Sequence, residues 1–575
     1  MITTIQLGTI FTQNDRRVMS GGQSGIDIES LINGLSETRR LPAVNLEERI
    51  EENQKIATSL GEMRTILDRF RDAANFLRNP PGVFSEAENI FEFRNASVSS
   101  NTAVSGSSYL DVTAEPGAQV TDYTITDVVT ATRNVQTTGV INVANASTSI
   151  VGGGGPFTAG TFTVGATPQN IVIVNGDTLN SIANKVNATT TQSGVEAVVM
   201  QVGTNQFRLS FRTVNTGAAQ NYTFGAGTTG ITVPLTQSAT DASLTIDGVS
   251  VTRSSNTISD VIDNVTLTLK QSTPPATALE VEIDADRELA KQGIMNFVDS
   301  YNQFRLFQSR QTQRGDDGLP TEDSVLSRSR TLSIAGARLA SELSSAISGI
   351  LPADPARLSD IGITFADYPG DEETPFTRNI LRVDETKLQN ALSGNFDKVR
   401  KVFEFDFSSN NSDLQIFSRT NGLRTNSFTL NVNQGTSTYT AVVGGQTINL
   451  DASPITGGTG VTLRGQAGTA LEGLVMLYSS ATPASMTVNI SQGFGDRLYN
   501  TLDEVLATGT GLLDSEVSSL GEQNERFETS IARIDAQIVS YRELLLRKYT
   551  SLEALIARSN TLLQTLDAQS RAREQ

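Results

Sequence analysis

From Leu513 to Leu566, apolar side chains recur alternately four and three residues apart. Leu513, Val517, Leu520, Phe527, Ile531, Ile534, Ile538, Tyr541, Leu545, Leu552, Leu555, Leu562 and Leu566 hold the stripe, and only Asn524, Lys548 and Ser559 interrupt it. A repeat of about 3.5 residues sustained over about seven heptads predicts one long helix packed lengthwise on another. At about 1.5 Å per residue that rod would be roughly 80 Å long. No single compact core is so deep, so the stripe must be covered by a second rod or by other subunits.

A matching rod lies near the other end. Leu46, Ile50, Ala57, Leu60, Met63, Leu67, Phe70, Ala74 and Leu77 follow the same spacing, with Asn53 in one seam position and a three-residue skip between Leu60 and Met63. Such a skip overwinds a supercoil without ending it. Pro80 and Pro81 are expected to stop the helix, since proline lacks the donor and clashes with the preceding turn.

Between the rods the period changes to two. From about Asn95 to Glu282 the chain is rich in Thr, Val, Ser and Gly, with alternating runs at 123–129, 171–174, 207–211, 244–246 and 265–269, punctuated by Asn-Gly, Asp-Gly and glycine-rich turns. That pattern predicts antiparallel sheets with one buried face. One helix interrupts it, with Asp177-Thr178 capping Leu179, Ile182, Ala183 and Val186. A second block of this kind runs from about Asp413 to Ile490.

Helical spacing returns between the two β blocks. Ala290, Ile294, Phe297, Tyr301 and Phe304 form a third seam, and Leu332, Ala335, Leu339, Leu343, Ala346 and Ile350 a fourth; Val383 to Leu392 reads as a strand end running into a capped helix. The fold class expected is therefore α+β and multidomain. A long antiparallel coiled coil or bundle is formed by N-terminal, central and C-terminal helices, and antiparallel β domains are inserted into it. The expected segments are a flexible leg 1–39, a coiled-coil helix 40–94, a β-rich head 95–284 of one or two domains, a central helical part 285–412, a second β-rich part 413–490, a C-terminal coiled-coil helix 491–554 and a flexible leg 555–575.

Composition removes whole classes of chemistry. The 575 residues include no cysteine, histidine or tryptophan, which excludes disulfides, thiol nucleophiles, imidazole bases and the usual zinc and haem ligands. A formal charge of −18 argues against nucleic acid and anionic membrane surfaces as partners. Met1 to Phe11 has no basic region ahead of an apolar core, so no cleavable secretory signal is expected, and no window approaches eighteen uninterrupted apolar residues. The polar stretch Thr12 to Gly25 suits an unstructured export segment.

Candidate chemical motifs fail one by one. The run 151–157 is glycine-rich but lacks the Gly-Lys-Ser/Thr of a phosphate loop, and Gly315-Asp-Asp-Gly318 lacks the alternating ligands and closing glutamate of a calcium loop. Asp371-Glu-Glu373 reads as a solvated acidic loop. No catalytic residue, cofactor site or metal site is expected.

Several stretches carry a family resemblance. Gly25-Ile-Asp-Ile-Glu-Ser-Leu-Ile32 ahead of a charged heptad helix resembles the opening of the bacterial flagellar filament cap family, also called hook-associated protein 2. The block Asp247 to Ile262 leading into Val265-Thr-Leu-Thr-Leu269 is similar to that family's most distinctive internal block. Phe297 to Asn302, Leu358 to Ile363, Leu381 to Leu388 and Gly468 to Gly473 match further blocks in the family's order, and Asn175 to Asn187 resembles a repeat shared by flagellin-type proteins.

The resemblance implies a non-enzymatic assembly factor. It would be exported unfolded through the flagellar type III apparatus and would sit as a ring-shaped homo-oligomer, commonly a pentamer, at the distal filament tip, outside the cell. There it would retain exported flagellin and promote its polymerisation. Implied partners are further copies of the chain, flagellin, the hook–filament junction protein and a cytoplasmic export chaperone, with no nucleic acid and no membrane insertion. The seam residues expected are Leu60, Met63, Leu67, Phe70, Phe527, Ile531, Ile534, Ile538, Tyr541, Leu545 and Leu552; those expected to touch filament or chaperone are Leu31, Leu35, Leu555, Leu562, Leu563 and Leu566. The alternatives are a junction protein or flagellin-like subunit, which should lack the Asp247 to Ile262 block, and a coiled-coil-stalked adhesin. The adhesin would want an aromatic-lined cleft, and aromatics are only 6% of residues.

Overall fold

The computed structural model describes residues 9–13, 16–20, 28–80, 89–350, 352–370, 375–420, 422–455 and 457–573. The expectations for Met1 to Phe11 and Thr12 to Gly25 fall outside them at residues 1–8, 14–15 and 21–25, as do those for Gly25 to Asp27 of the family opening, Pro81 and Asp371 to Glu373. The helices are α1 (Ile28–Phe76), α2 (Leu179–Asn187), α3 (Thr190–Ser193), α4 (Arg287–Gln311), α5 (Arg330–Ser344), α6 (Glu385–Gly394), α7 (Phe396–Phe403), α8 (Phe494–Leu506) and α9 (Leu512–Arg573). Helices and several β-sheets thus build a mixed, multidomain fold.

One apolar core is shared by helices from three distant parts of the chain. It contains Leu60, Met63, Leu67 and Phe70 of α1, Phe297, Tyr301 and Phe304 of α4, Leu332 and Leu339 of α5, Leu388 and Leu392 of α6, Leu498 and Leu502 of α8, and Leu513 and Leu520 of α9. The Phe70 ring lies 5.3 Å from Phe297 and 5.9 Å from Tyr301, tilted against both. The central helices start where side-chain oxygens take up otherwise unpaired amides. Asp286 accepts from Leu289 N–H at 2.9 Å, Ser329 from Leu332 N–H at 3.2 Å and Asp384 from Lys387 N–H at 3.0 Å.

Several helix boundaries differ from those the periodicity predicts. Helix α1 opens at Ile28 rather than near residue 40 and carries Pro42 inside it, and it ends at Phe76, before either proline is reached. The fourth seam is cut short, because Ser345 turns extended and leaves Ala346 and Ile350 beyond α5. The predicted C-terminal rod is two helices, interrupted at residues 507–511 where Gly509 takes φ +77°. It also continues as helix well past residue 554. A two-stranded hairpin pairs Thr9–Gln13 with Arg16–Ser20, where the composition had pointed to an unstructured segment.

The β-rich part between α1 and α4 holds two separate cores, one nested in the other. The outer core is made by a sheet in the order Val249–Arg253, Ala242–Ile246, Thr121–Val129, Ala278–Ala285, Arg94–Ser100 and by a three-stranded sheet of Thr257–Ile262, Val265–Leu269 and Leu110–Ala114. Between Val129 and Ala242 the chain leaves to build the inner core, where Phe162, Ile171, Leu179, Ile182, Leu209 and Phe211 are buried. In α2, Thr178 and Ser181 cap one another reciprocally, at 3.1 and 2.8 Å, as the Asp177-Thr178 signal predicts. A third β body, an eight-stranded antiparallel sheet, runs from Phe405–Ser409 to Ala484–Gln492, with Leu430, Leu463, Met476 and Val488 inside.

Candidate assembly interface

Helices α1 and α9 lie side by side in opposite directions. Going down the pair, the Asn53 amide donates to Asn524 Oδ1 at 2.8 Å, Arg40 Nε to Asp535 Oδ1 at 3.2 Å, and the Arg39 guanidinium stacks 3.8 Å above the Tyr541 ring centroid. At the far end Ile28 and Ile32 bury against Leu545, with Tyr541, Leu546 and Tyr549 around them. As one residue number falls the other rises, which defines an antiparallel register. At the near end Arg64 pairs with Asp514 and donates to the Leu506 carbonyl at 3.2 Å, while Asp514 also accepts the Gly509 amide at 2.7 Å. One arginine thus ties α1 to both sides of the break between α8 and α9.

Burial along this stem is graded. Leu60, Met63, Leu67 and Phe70 are buried in the shared helical core. Phe527, Ile531, Ile534, Ile538 and Tyr541 are half-buried, Leu545 is buried, and Leu552 is exposed. Leu31 and Leu35 on α1 are exposed, and Leu555, Leu562, Leu563 and Leu566 on α9 are 53–65% exposed. Because α1 starts opposite Leu545 to Tyr549 while α9 continues to Arg573, about 35 Å of α9 at about 1.5 Å per residue extends past the first turn of α1. Periodicity missed Leu41, Val539 and Leu544, which are also exposed. They lie off the heptad positions, so only the local excess of surface leucine could have flagged them.

Where the outer head and the eight-stranded sheet meet the helical core, polar side chains make buried contacts. Asp496 of α8 accepts from Arg419 Nε at 3.1 Å and lies 3.7 Å from Arg78 Nη1, and Arg419 also donates to the Asn79 carbonyl at 2.6 Å. Burial pulls the Arg78 guanidinium below its ordinary pKa, with Asp496 opposing the shift. The Glu404 carboxylate, at the end of α7, accepts from Arg400 Nε at 2.6 Å and from Asn89 Nδ2 at 2.5 Å. Burial pushes its pKa up to about 7 against the pull of Arg400. Arg400 also pairs with Glu92, which in turn holds Arg94 at 2.9 Å. Among the described residues no cluster of three or more metal-ligating side chains occurs, and no helix is long and apolar enough to cross a membrane.

Two family models match the chain: flagellar hook-associated protein 2 N-terminus over residues 24–134, and flagellar hook-associated protein 2 C-terminus over residues 239–561. Residues 135–238, between the two matches, are the stretch that builds the inner β core. The chain is 24% identical over 421 residues to the A-type flagellar hook-associated protein 2 of Pseudomonas aeruginosa, covering 68% of this chain and 80% of that protein. It is 31% identical over 190 residues to the flagellar hook-associated protein 2 of Treponema maltophilum, covering 30% of this chain and 28% of that one. Among solved structures it resembles the D1-D2-D3 domains of the flagellar cap protein FliD from Escherichia coli at a TM-score of 0.43 and 24% identity, covering 60% of this chain and 89% of that chain. The C-terminal match alone takes in more than half of the sequence, including α4 through most of α9, so the chain belongs to the flagellar hook-associated protein 2 family, the filament cap proteins of the bacterial flagellum.

Proposed function

We propose that α1 and α9 form an antiparallel coiled-coil leg whose free end grips the growing filament, while the β bodies and helical core form the plate of the cap. The observation that carries this is the leucine stripe Leu555, Leu562, Leu563 and Leu566, exposed on the part of α9 that has run past the start of α1. A large apolar patch on a surface of net charge −18 is a binding site in waiting. Leu31 and Leu35 would add to it from α1.

A cap must hold the filament end and still step aside for each new subunit. Several weak contacts made by separate legs meet that demand, because each can release while the others hold. Residues 1–39 and 555–575 would be the gripping segments, 40–94 and 491–554 the leg and its root, 95–284 and 413–490 the outward β parts, and 285–412 the central part of the helical bundle. In this reading the chain is exported without a cleavable signal, a cytoplasmic chaperone covers the leucine stripe before export, and a pentameric ring retains flagellin beyond the hook–filament junction protein. No bond is made or broken.

The test is deletion of residues 555–575 in cells lacking the native cap. The truncated protein should be exported and folded, yet flagellin should be lost to the medium and swimming abolished. Filaments of normal length on those cells would refute the gripping role.

A further inference from the structure

A basic notch lies between the end of α4 and the strand Thr377–Val383. Arg305, Ser309, Arg314, Phe376 and Arg378 line a concavity of about 940 Å³. Arg305 donates to the Arg378 carbonyl at 3.2 and 2.9 Å and to Gln308 at 2.5 Å, and Arg314 donates to the Gly318 carbonyl at 2.8 Å. The Arg378 guanidinium sits 5.7 Å from the Phe376 ring, which is half exposed. Among the described residues none of these three arginines has a carboxylate partner, although carboxylates outnumber basic side chains 62 to 44 along the chain. Three cations around one hollow with no carboxylate partner among the described residues, in so acidic a protein, call for an anionic occupant.

An independent observation supplies the occupant's chemistry. On the solvent face of the outer head sheet, Glu282 stands directly opposite Asp122, and Glu280 lies two residues along on the same face. Like charges directly opposed across strands destabilise a sheet, and among the described residues none of the three has a basic partner. Both features make sense together if each is completed by the other on a neighbouring molecule. They occupy different patches of the surface, so the contact is heterologous, the type that makes a ring when its rotation closes.

We infer that the Arg305, Arg314 and Arg378 notch of one copy receives the Asp122, Glu280 and Glu282 strip of the next copy, forming the charged part of the contact between subunits. This deepens the ring reading above and rests on it. It also explains how copies that repel overall settle in one orientation, since complementary patches steer encounter and fix register.

The test measures self-association by sedimentation over a range of concentrations, with thermal melting as the check on folding. Arg314→Glu with Arg378→Glu should weaken association by about tenfold or more, as should Glu280→Lys with Glu282→Lys, and the four substitutions together should restore it. Neutralising Asp371, Glu372 and Glu373 as Asn, Gln and Gln should change nothing. If any charge pair fails to fold, a mixture of Arg378→Cys and Glu282→Cys chains should give an intermolecular disulfide in this cysteine-free protein. The inference falls if wild type associates but the reversals leave it unchanged, if the fourfold variant stays weak, if the 371–373 variant reproduces the arginine reversal, or if the mixed cysteine chains stay unlinked. A wild type that remains monomeric at every concentration overturns the ring reading with it.

Discussion

Asn53 donates its side-chain amide to Asn524 across 2.8 Å, joining two helices whose contact residues are 471 positions apart in the chain. Each asparagine breaks an apolar seam. Paired, the two satisfy each other at a level of the stem where both seams turn polar, so a slip of either helix would set Asn53 against Leu520 or Phe527 and Asn524 against Ala57 or Ile50. A polar residue at a seam position commonly costs stability and specifies register.

Replacing Asn53 alone with Ala should therefore cost about 1–2 kcal/mol, because Asn524 loses its partner in a half-buried site. Replacing both with Leu should raise the unfolding midpoint while loosening the register. Denaturant melts of Asn53→Leu, Asn524→Leu and the double variant, read as a cycle with wild type, measure the coupling.

At the root of the stem, Arg64→Ala should release α9 from α8. Its guanidinium is about one-third exposed and bonds both Asp514 and the Leu506 carbonyl, so the expected loss is about 1–3 kcal/mol. Hydrogen exchange should speed up at Gly509 and the first turn of α9, with the eight-stranded sheet unaffected.

Phe70 is fully buried between Phe297 and Tyr301, where α1 meets α4. Phe70→Ala should cost about 3–5 kcal/mol through the cavity it leaves. The loss should appear in the helical core's unfolding transition and leave the nested β core's transition in place.

Glu404 gives a pH signature. Its pKa in the folded protein is pushed up to about 7 from an ordinary 4.5, so between those values the folded state binds more protons than the unfolded state. Its contribution is fully present below pH 4.5 and is lost as the pH rises through 7. The stability of wild type relative to Glu404→Gln should therefore fall as pH rises from 5 to 8. A difference that is flat with pH would contradict the buried, coupled placement of this carboxylate.

What the sequence could reveal followed from what repeats along it. Leu60 to Phe70 and Ala290 to Phe304 are legible as buried helix faces because every turn must cover the same stripe, and Asp177-Thr178 is legible as a helix start because capping is local. Partnership is not local: heptad spacing marks Asn53 and Asn524 as interruptions without saying that they meet. The break was signalled by Gly509 and Gly511, which lie just ahead of the stripe that opens at Leu513. The two nested β cores share one composition, so nothing in the alternation of residues 95–284 separates Ile125 from Phe162, which lie in different cores. Of the candidate gripping residues, Leu31, Leu35, Leu555, Leu562, Leu563 and Leu566 are all exposed, and the truncation removes the last four.

The antiparallel register of α1 and α9 is the claim on which the leg, and hence the grip, depends. Because the chain has no cysteine, Asn53→Cys combined with Asn524→Cys creates a single possible intramolecular disulfide. Mild oxidation of the dilute double variant should give a monomeric, cross-linked chain seen as a reductant-sensitive shift on a gel and a mass lower by two hydrogens, while Asn53→Cys with Thr561→Cys should stay open. An uncross-linked Asn53/Asn524 variant, or one that links only between chains, would contradict the arrangement.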